Sequence, residues 1–86
     1  MLKIGKLYIL KKNCAQKSFG FYKSLYPTYE NDIDNYVGRF NTEELQNQPF
    51  LLLETEKYRY PWIKVLIDNK IGWVGIDSDE LDEFKG

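Results

Sequence analysis

The sequence predicts an all-β fold, a small antiparallel barrel of five to six strands that is closed or nearly closed. Short apolar and aromatic runs alternate with turn residues, and almost no segment has helical periodicity. Aromatic residues make up 16% of the chain, seven of them tyrosines, and these residue types favour strands. The 86 residues suffice for one domain, placed at residues 1–86, and closing the barrel would remove exposed strand edges.

The first half of the chain contains two strand-like segments before its first long loop. The segment "IGKLYILKKN" (4–13) alternates apolar and polar residues, and "SFGFYKSLYPT" (18–28) repeats that character until Pro27 ends it. We expect these two segments to pair as a hairpin. Residues 28–35 are rich in Asp and Asn, whose side chains favour turns, so we expect a loop there.

The middle of the chain is predicted to contain two further strands with a helical turn between them. "YVGRF" (36–40) has the composition of a short strand. Asn41 in cap position and Glu44 three residues later form a capping box for about one helical turn, which Pro49 ends. "FLLLETEKYRY" (50–60) starts as a continuous apolar run and then alternates, as expected of a strand buried at one end.

The segment "PWIKVLIDNKIGWVGID" (61–77) is predicted to form a β-hairpin. Asn69 is the residue here that most readily accepts a left-handed backbone, so we place the two-residue turn at Asn69 and Lys70. This turn sets Ile67 opposite Gly72 and collects nearly all β-branched residues on one side. The predicted core face consists of Ile63, Val65, Ile67, Val74 and Ile76.

The opposite face of this hairpin is the predicted protein-binding site. It carries five residues: Trp62, Lys64, Leu66, Trp73 and Gly75. We expect Leu66 directly across from Trp73, with the two indole rings as the walls of a shallow groove and Gly75 as its floor. The alternative is that segments such as residues 27–48 fold over this face and bury both rings as a second small core, since large exposed apolar patches are uncommon in monomers.

The charges are distributed unevenly although the net charge is only -1. Residues 1–23 contain six lysines and no acid, whereas residues 77–86 contain five acids and one lysine. This asymmetry indicates either a basic patch on an acidic body or two ends that meet in one sheet with opposite charges facing each other. We favour the second interpretation.

The residue types argue against an enzyme and against a metal or cofactor site. The chain has no histidine, and Cys14 is its single cysteine, so the commonest general base, a zinc site and an internal disulfide are missing. We therefore interpret Cys14 as a plain small residue. Since the sequence shows neither a signal peptide nor an apolar run of membrane-spanning length, we expect a cytoplasmic protein with no membrane partner.

The stretch "PWIKVLIDNKIGWVGIDSDEL" resembles the end of Src-homology-3 domains, and the resemblance covers roughly residues 50–84. It implies an SH3-like barrel with a 3-10 turn that begins at Ser78 and holds Leu81 three positions on. It also implies that Trp62 and Trp73 occupy aromatic positions of a ligand face. Gly75 and Leu81 stand where the family usually has a groove proline and a groove tyrosine, which departs from the pattern that binds proline-rich peptides.

Two shorter resemblances bear on the origin of the protein. "IGKLYILKK" and "LYPT" are similar to stretches of small bacteriophage proteins of this barrel type, which implies a phage-encoded accessory protein. "RYPWIKVLID" resembles small barrels that are peripheral subunits of photosynthetic complexes.

Three functions follow as expectations. The first is a non-enzymatic protein-interaction module, encoded by a phage or a bacterium, that binds a host or viral protein through Trp62 and Trp73. The second is association with nucleic acid through the lysine-rich residues 1–23, with Phe19, Phe21 and Tyr22 stacking on bases. The third is a peripheral subunit of a larger complex. Neither the partner's identity nor the oligomeric state follows from the sequence.

Overall fold

The fold is a single antiparallel sheet of seven strands with one short helix. The computed structural model describes residues 2–24, 36–56 and 62–85. The strands are β1 (Leu7–Leu10), β2 (Ser18–Tyr22), β3 (Tyr36–Asn41), β4 (Phe50–Thr55), β5 (Trp62–Ile67), β6 (Lys70–Gly75) and β7 (Leu81–Glu83). Helix α1 spans Thr42–Asn47, and a 3-10 turn spans Ser78–Glu80. The all-β prediction is confirmed. The loop predicted at 28–35 lies outside the described residues.

The strands follow the order β3-β2-β6-β5-β4-β1-β7, and all neighbouring strands are antiparallel. This count exceeds the expected five to six strands because the chain after the 3-10 turn adds β7. Within residues 2–24, 36–56 and 62–85, no ladder joins β3 to β7. The sheet is therefore an open one, not a barrel closed by hydrogen bonds.

The expected hairpin between the first two strands is wrong. β1 pairs with β4 and β7, whereas β2 pairs with β3 and β6. The backbone N–H of Lys11 donates to the carbonyl of Glu80 at 2.8 Å, so the chain leaving β1 runs along the 3-10 turn and does not fold back on β1. It then joins β3, where the N–H of Thr42 donates to the carbonyl of Lys17 at 2.9 Å.

The two ends of the described chain meet in one sheet, as the favoured interpretation of the charge asymmetry predicts. β1 and β7 are paired in register, with Tyr8 opposite Glu83 and Leu10 opposite Leu81. Lys11 Nζ lies 3.8 Å from Asp82 Oδ1, and both side chains are exposed. Because exposed ion pairs contribute little, the backbone ladder and the burial of Leu10 and Leu81 hold this pair of strands together.

Helix α1 begins at the predicted cap. The backbone N–H of Asn41 donates to Glu44 Oε1 at 3.4 Å, and the two residues form a capping box. Leu45 is fully buried in the core, and Gln46 Nε2 donates to the carbonyl of Lys11 at 2.9 Å. Because α1 contacts β1 near one edge of the sheet and β3 at the other, it covers the open side that hydrogen bonds leave unclosed.

The hairpin of β5 and β6 exists as predicted, but its turn lies one residue earlier. Asp68 and Asn69 both have positive φ, at 54° and 63°, as a type I′ turn requires. Ile67 therefore pairs with Lys70 and Val65 pairs with Gly72, a register two residues away from the expected one. The core face is unaffected, because side chains alternate with period two and a shift of two residues leaves each on its own side.

The core lies on one side of the sheet and is made of aromatic and aliphatic side chains. The five predicted core residues of the hairpin are all buried. They pack with Tyr8, Leu10, Phe19, Phe21, Phe40, Leu45, Phe50, Leu52 and Leu81. At about 25 cal/mol per Å² of apolar surface removed from water, such side chains dominate the stability of the fold. Among the described residues, no helix has the length and apolar character needed to cross a membrane.

Candidate functional site

The side of the sheet that faces away from the core, here called the outer face, carries a row of four aliphatic side chains. Leu7, Leu51, Leu66 and Ile71 are successive register partners on β1, β4, β5 and β6. Partners in register point to the same side of the sheet. The row crosses four strands and therefore spans about 14 Å. Leu7 is 40% exposed and Ile71 is 50% exposed. We call this set the aliphatic row.

Beside the aliphatic row lies an aromatic cluster of Tyr22, Tyr36 and Trp62. The ring of Tyr22 packs edge-on against both others, with centroid distances of 5.8 Å to Tyr36 and 6.1 Å to Trp62. Edge-to-face packing of this kind is favourable for aromatic rings. Tyr36 is 40% exposed, and Tyr22 and Trp62 are half-buried, so the cluster keeps part of its surface in contact with solvent.

Two glycines allow the aromatic rings to lie close to the strands. A Cβ atom at Gly20 would lie 2.9 Å from Tyr22 Oη, so a larger residue there would displace the tyrosine. A Cβ atom at Gly75 would lie 3.9 Å from the Trp62 ring, which is ordinary contact. The absence of side chains at these two positions leaves a depression between β2 and β6.

That depression is an open cleft of about 400 Å³. Trp62 and Tyr22 form its aromatic part, and Arg39 contributes the charge. The described residues that line it are Gln16, Ser18, Phe19, Gly20, Tyr22, Arg39, Trp62, Val74 and Gly75. These residues combine an aromatic wall, a floor without side chains and a cation.

The expected pairing of Leu66 with Trp73 is wrong, and of the two tryptophans Trp62 is the one that lines this cleft. Trp62 and Gly75 line the cleft together, and Trp62 lies directly opposite Gly75 on the neighbouring strand. Trp73 is instead opposite Lys64, whose Nζ lies 5.9 Å from the centre of the Trp73 ring. Leu66, expected opposite Trp73, faces Ile71 in the aliphatic row, because the turn is one residue earlier than predicted.

All five predicted site residues nonetheless share the outer face, and both tryptophans are half-buried. In the alternative interpretation, residues 27–48 would cover these rings. Within that segment, β3 joins the sheet at one edge and α1 packs against the core through Leu45. Residues 27–35 of that segment lie outside the described residues. The described residues enclose neither indole ring.

Sequence reasoning missed Tyr22 and Arg39 as parts of the cleft. A usable signal was present for Tyr22, since Phe19 and Phe21 alternate with Gly20 and Tyr22 and the larger apolar pair would face the core. Both phenylalanines are indeed buried, at 2% and 0% exposed. This burial removes them from the predicted base-stacking surface, because a ring in the core cannot contact a nucleotide.

Cys14 lies apart from the cleft and is held as a protonated thiol. Burial raises its pKa above the ordinary 9.0, and the nearby carboxylate of Glu80 raises the pKa further. The Sγ atom lies 3.4 Å from Glu80 Oε2. A thiol with a raised pKa is a weak nucleophile at neutral pH. In the part of the chain that the structure describes, no three His, Cys, Asp or Glu residues are grouped so as to hold a metal ion.

Comparison of the chain with protein-family models, with curated proteins and with solved structures gives no match. The outer face and its cleft are therefore the observations on which a functional proposal has to rest.

Proposed function

We propose that this chain is a non-enzymatic protein-interaction module whose outer face binds a partner protein. The proposed setting is that of a phage-encoded or bacterial accessory protein that acts in the cytoplasm on a host or viral protein. The third expectation, a peripheral subunit of a larger complex, would use the same surface in a more permanent assembly.

The observation that supports the proposal is the continuity of apolar surface across the outer face. The aliphatic row joins half-buried Trp73 and the aromatic cluster on neighbouring strands. Three of these side chains, Leu7, Tyr36 and Ile71, are at least 40% exposed. Contiguous exposed apolar surface of this kind marks interaction sites in soluble proteins. Scattered apolar residues would carry no such implication.

The residue types on this face are those that dominate binding energy in protein interfaces. Tryptophan, tyrosine and arginine are enriched among residues whose removal costs 2 kcal/mol or more, to order of magnitude. Trp62, Tyr22 and Arg39 lie together in the cleft, and the aliphatic row lies to one side of them, beyond the pair of Lys64 and Trp73. A partner that covers the cleft and the row would therefore bury these three residues together with the aliphatic side chains.

A capture experiment with face variants tests the proposal. Wild-type protein and the double variant Trp62→Ala with Trp73→Ala are immobilised and exposed to lysate of the native host, and bound proteins are identified by mass spectrometry. We expect the double variant to remain folded by circular dichroism and to lose a partner that wild type retains. The matched control is Lys12→Ala with Glu43→Ala, two exposed residues at α1 and its neighbouring loop, which should retain the partner.

A second variant keeps the test decisive if the double variant fails to fold. Ile71→Glu places a charge on a side chain that is 50% exposed, so it should leave the core intact while making the aliphatic row repulsive to an apolar partner. Undiminished capture by folded Ile71→Glu and by folded single tryptophan variants would contradict the proposal.

A further inference from the structure

Among the described residues, one charged side chain lines the cleft beside Trp62, and that side chain is positive. Arg39 lines it together with eight uncharged residues. Arg39 Nη1 donates to Ser18 Oγ at 2.7 Å, which fixes one edge of the guanidinium. Among the described residues, no carboxylate lies within salt-bridge distance of it. A guanidinium has five N–H donors, so within the described part of the chain Arg39 keeps donors that can pair with an anionic group of a ligand.

The backbone of Gly75 offers a second set of polar groups to the same cleft. Residues that flank a two-residue turn exchange backbone hydrogen bonds, and such pairs alternate with non-bonded pairs along a hairpin. Gly75 lies opposite Trp62 at a non-bonded position, so its N–H and C=O point away from β5 and towards β2. β2 and β6 share one register pair, Tyr22 and Trp73, and Gly75 lies beyond that pair, in the lining of the cleft.

The shape of the cleft fits a chain segment more closely than a compact small molecule. It is an open depression of about 400 Å³ on the sheet surface, so a bound chain can extend beyond it. Its aromatic wall, formed by Trp62 and Tyr22, suits an apolar side chain. A carboxylate next to that side chain could reach the guanidinium of Arg39, since Arg39 belongs to the same lining.

Resting on the proposed function, we infer that the cleft takes an extended segment of the partner in which an internal Asp or Glu pairs with Arg39. A neighbouring apolar side chain of the segment packs against Trp62, and the segment's backbone bonds to Gly75. The charge of the cleft carries the selectivity, because a basic residue at the same place would face an unpaired guanidinium.

A displayed library of random 12-residue peptides, selected on the wild-type protein and counter-selected on Trp62→Ala, tests this inference. We expect the enriched peptides to share an acidic residue beside an apolar one. The strongest peptide is then synthesised with a fluorophore, and its affinity is measured by fluorescence polarisation. Replacing its acidic residue by the corresponding amide should weaken binding about three- to tenfold, and Arg39→Gln should weaken it by a similar factor.

Charge exchange and a control complete the measurement. Arg39→Glu should recover affinity for the peptide in which the acidic residue is replaced by lysine, whereas Lys12→Gln should leave all affinities unchanged. Some enriched peptides could bind wild type but not Trp62→Ala and contain no acidic residue. If wild type and Arg39→Gln bind these peptides equally, the inference is overturned and the proposed function remains intact. If no enriched peptide depends on Trp62 for binding, the inference is also overturned. The capture experiment alone would then test the proposed function.

Discussion

Asp68 and Asn69 fix the register of the β5–β6 hairpin through their backbone conformation. Both have φ near +60°, a region in which a short polar side chain is tolerated and a β-branched one is strained. The prediction that Asn69 adopts a left-handed backbone is correct. Asn69 is, however, the second residue of the turn and not the first, as the expected turn at Asn69 and Lys70 required. Aspartate shares this tendency to a lesser degree, which makes the sequence compatible with either placement.

Asn69→Val is expected to destabilise the protein by about 1 to 2 kcal/mol, the cost of forcing a β-branched residue into the left-handed region. Asn69→Gly should stabilise or leave the protein unchanged, since glycine adopts this region without strain. Urea denaturation followed by circular dichroism measures both. Thr55→Val, at an exposed position near the end of β4, is the control. Equal stability of Asn69→Val and the control would show that the turn is formed elsewhere.

The thiol of Cys14 is expected to alkylate slowly at pH 8, because burial and Glu80 raise its pKa above 9.0. Glu80→Gln removes the carboxylate that opposes ionisation, so the pKa should fall and the reaction with iodoacetamide at pH 8 should become faster. Asp82→Asn, an acid with no contact to the thiol among the described bonds, should not change the rate. If Glu80→Gln reacts no faster than wild type, Glu80 does not act on the thiol.

At the scale of elements, the side on which each residue falls was predictable and the partner of each strand was not. Alternation with period two sets the faces, so the core residues of β5 and β6 were predicted correctly in spite of the wrong turn. Pairing between strands distant in sequence leaves no comparable local signal. Backbone hydrogen bonds join segment 11–17 to the 3-10 turn at one end and to the start of α1 at the other. For this reason β1 and β2 do not form the expected hairpin.

Helix α1 has a structural role that its length alone does not suggest. It has only six residues, too few for an independent helix in water, yet its Leu45 is fully buried. Contacts to β1 and β3 place it over the open side of the sheet. The capping box starts the helix, and the burial of one leucine holds it in place.

Leu45→Ala is expected to destabilise the fold by about 2 to 5 kcal/mol, the range for deleting a buried leucine side chain. Leu45→Met, which keeps most of the volume, should cost less than about 1.5 kcal/mol. Chemical denaturation of both variants measures the difference. A loss from Leu45→Ala no larger than that from an exposed substitution such as Glu43→Ala would mean that α1 does not cover the core.

At the scale of the whole molecule, the part of the outer face on β5 and β6 could be predicted from the sequence, and the parts on the other strands could not. Trp62 and Gly75 were predicted from the hairpin, whose two strands are adjacent in the chain. Tyr22 and Arg39 come from β2 and β3, which reach the cleft only because β2 lies beside β6 in the sheet. A site assembled from distant strands is set by topology, and neither composition nor alternation encodes topology directly.

The two edges of the open sheet differ in their protection. β7 has three residues, of which Asp82 and Glu83 are charged, and short charged edges discourage pairing with other chains. β3 has six residues, with Arg39 as its one charged side chain. The outer face adjoins this less protected edge through Tyr36 and Arg39, so a bound partner would also shield it.

Site-specific photocrosslinking tests the central claim, that the outer face contacts a partner, most directly. A benzophenone amino acid replaces Ile71 in the aliphatic row, and in a second variant it replaces Glu43 on the exposed surface of α1. Both variants are irradiated in cells in which the protein is natively made. We predict a discrete crosslinked species from position 71 that is absent from position 43 and is lost when Trp62→Ala and Trp73→Ala are added. Crosslinks of equal yield from both positions, or none from position 71, would contradict the account.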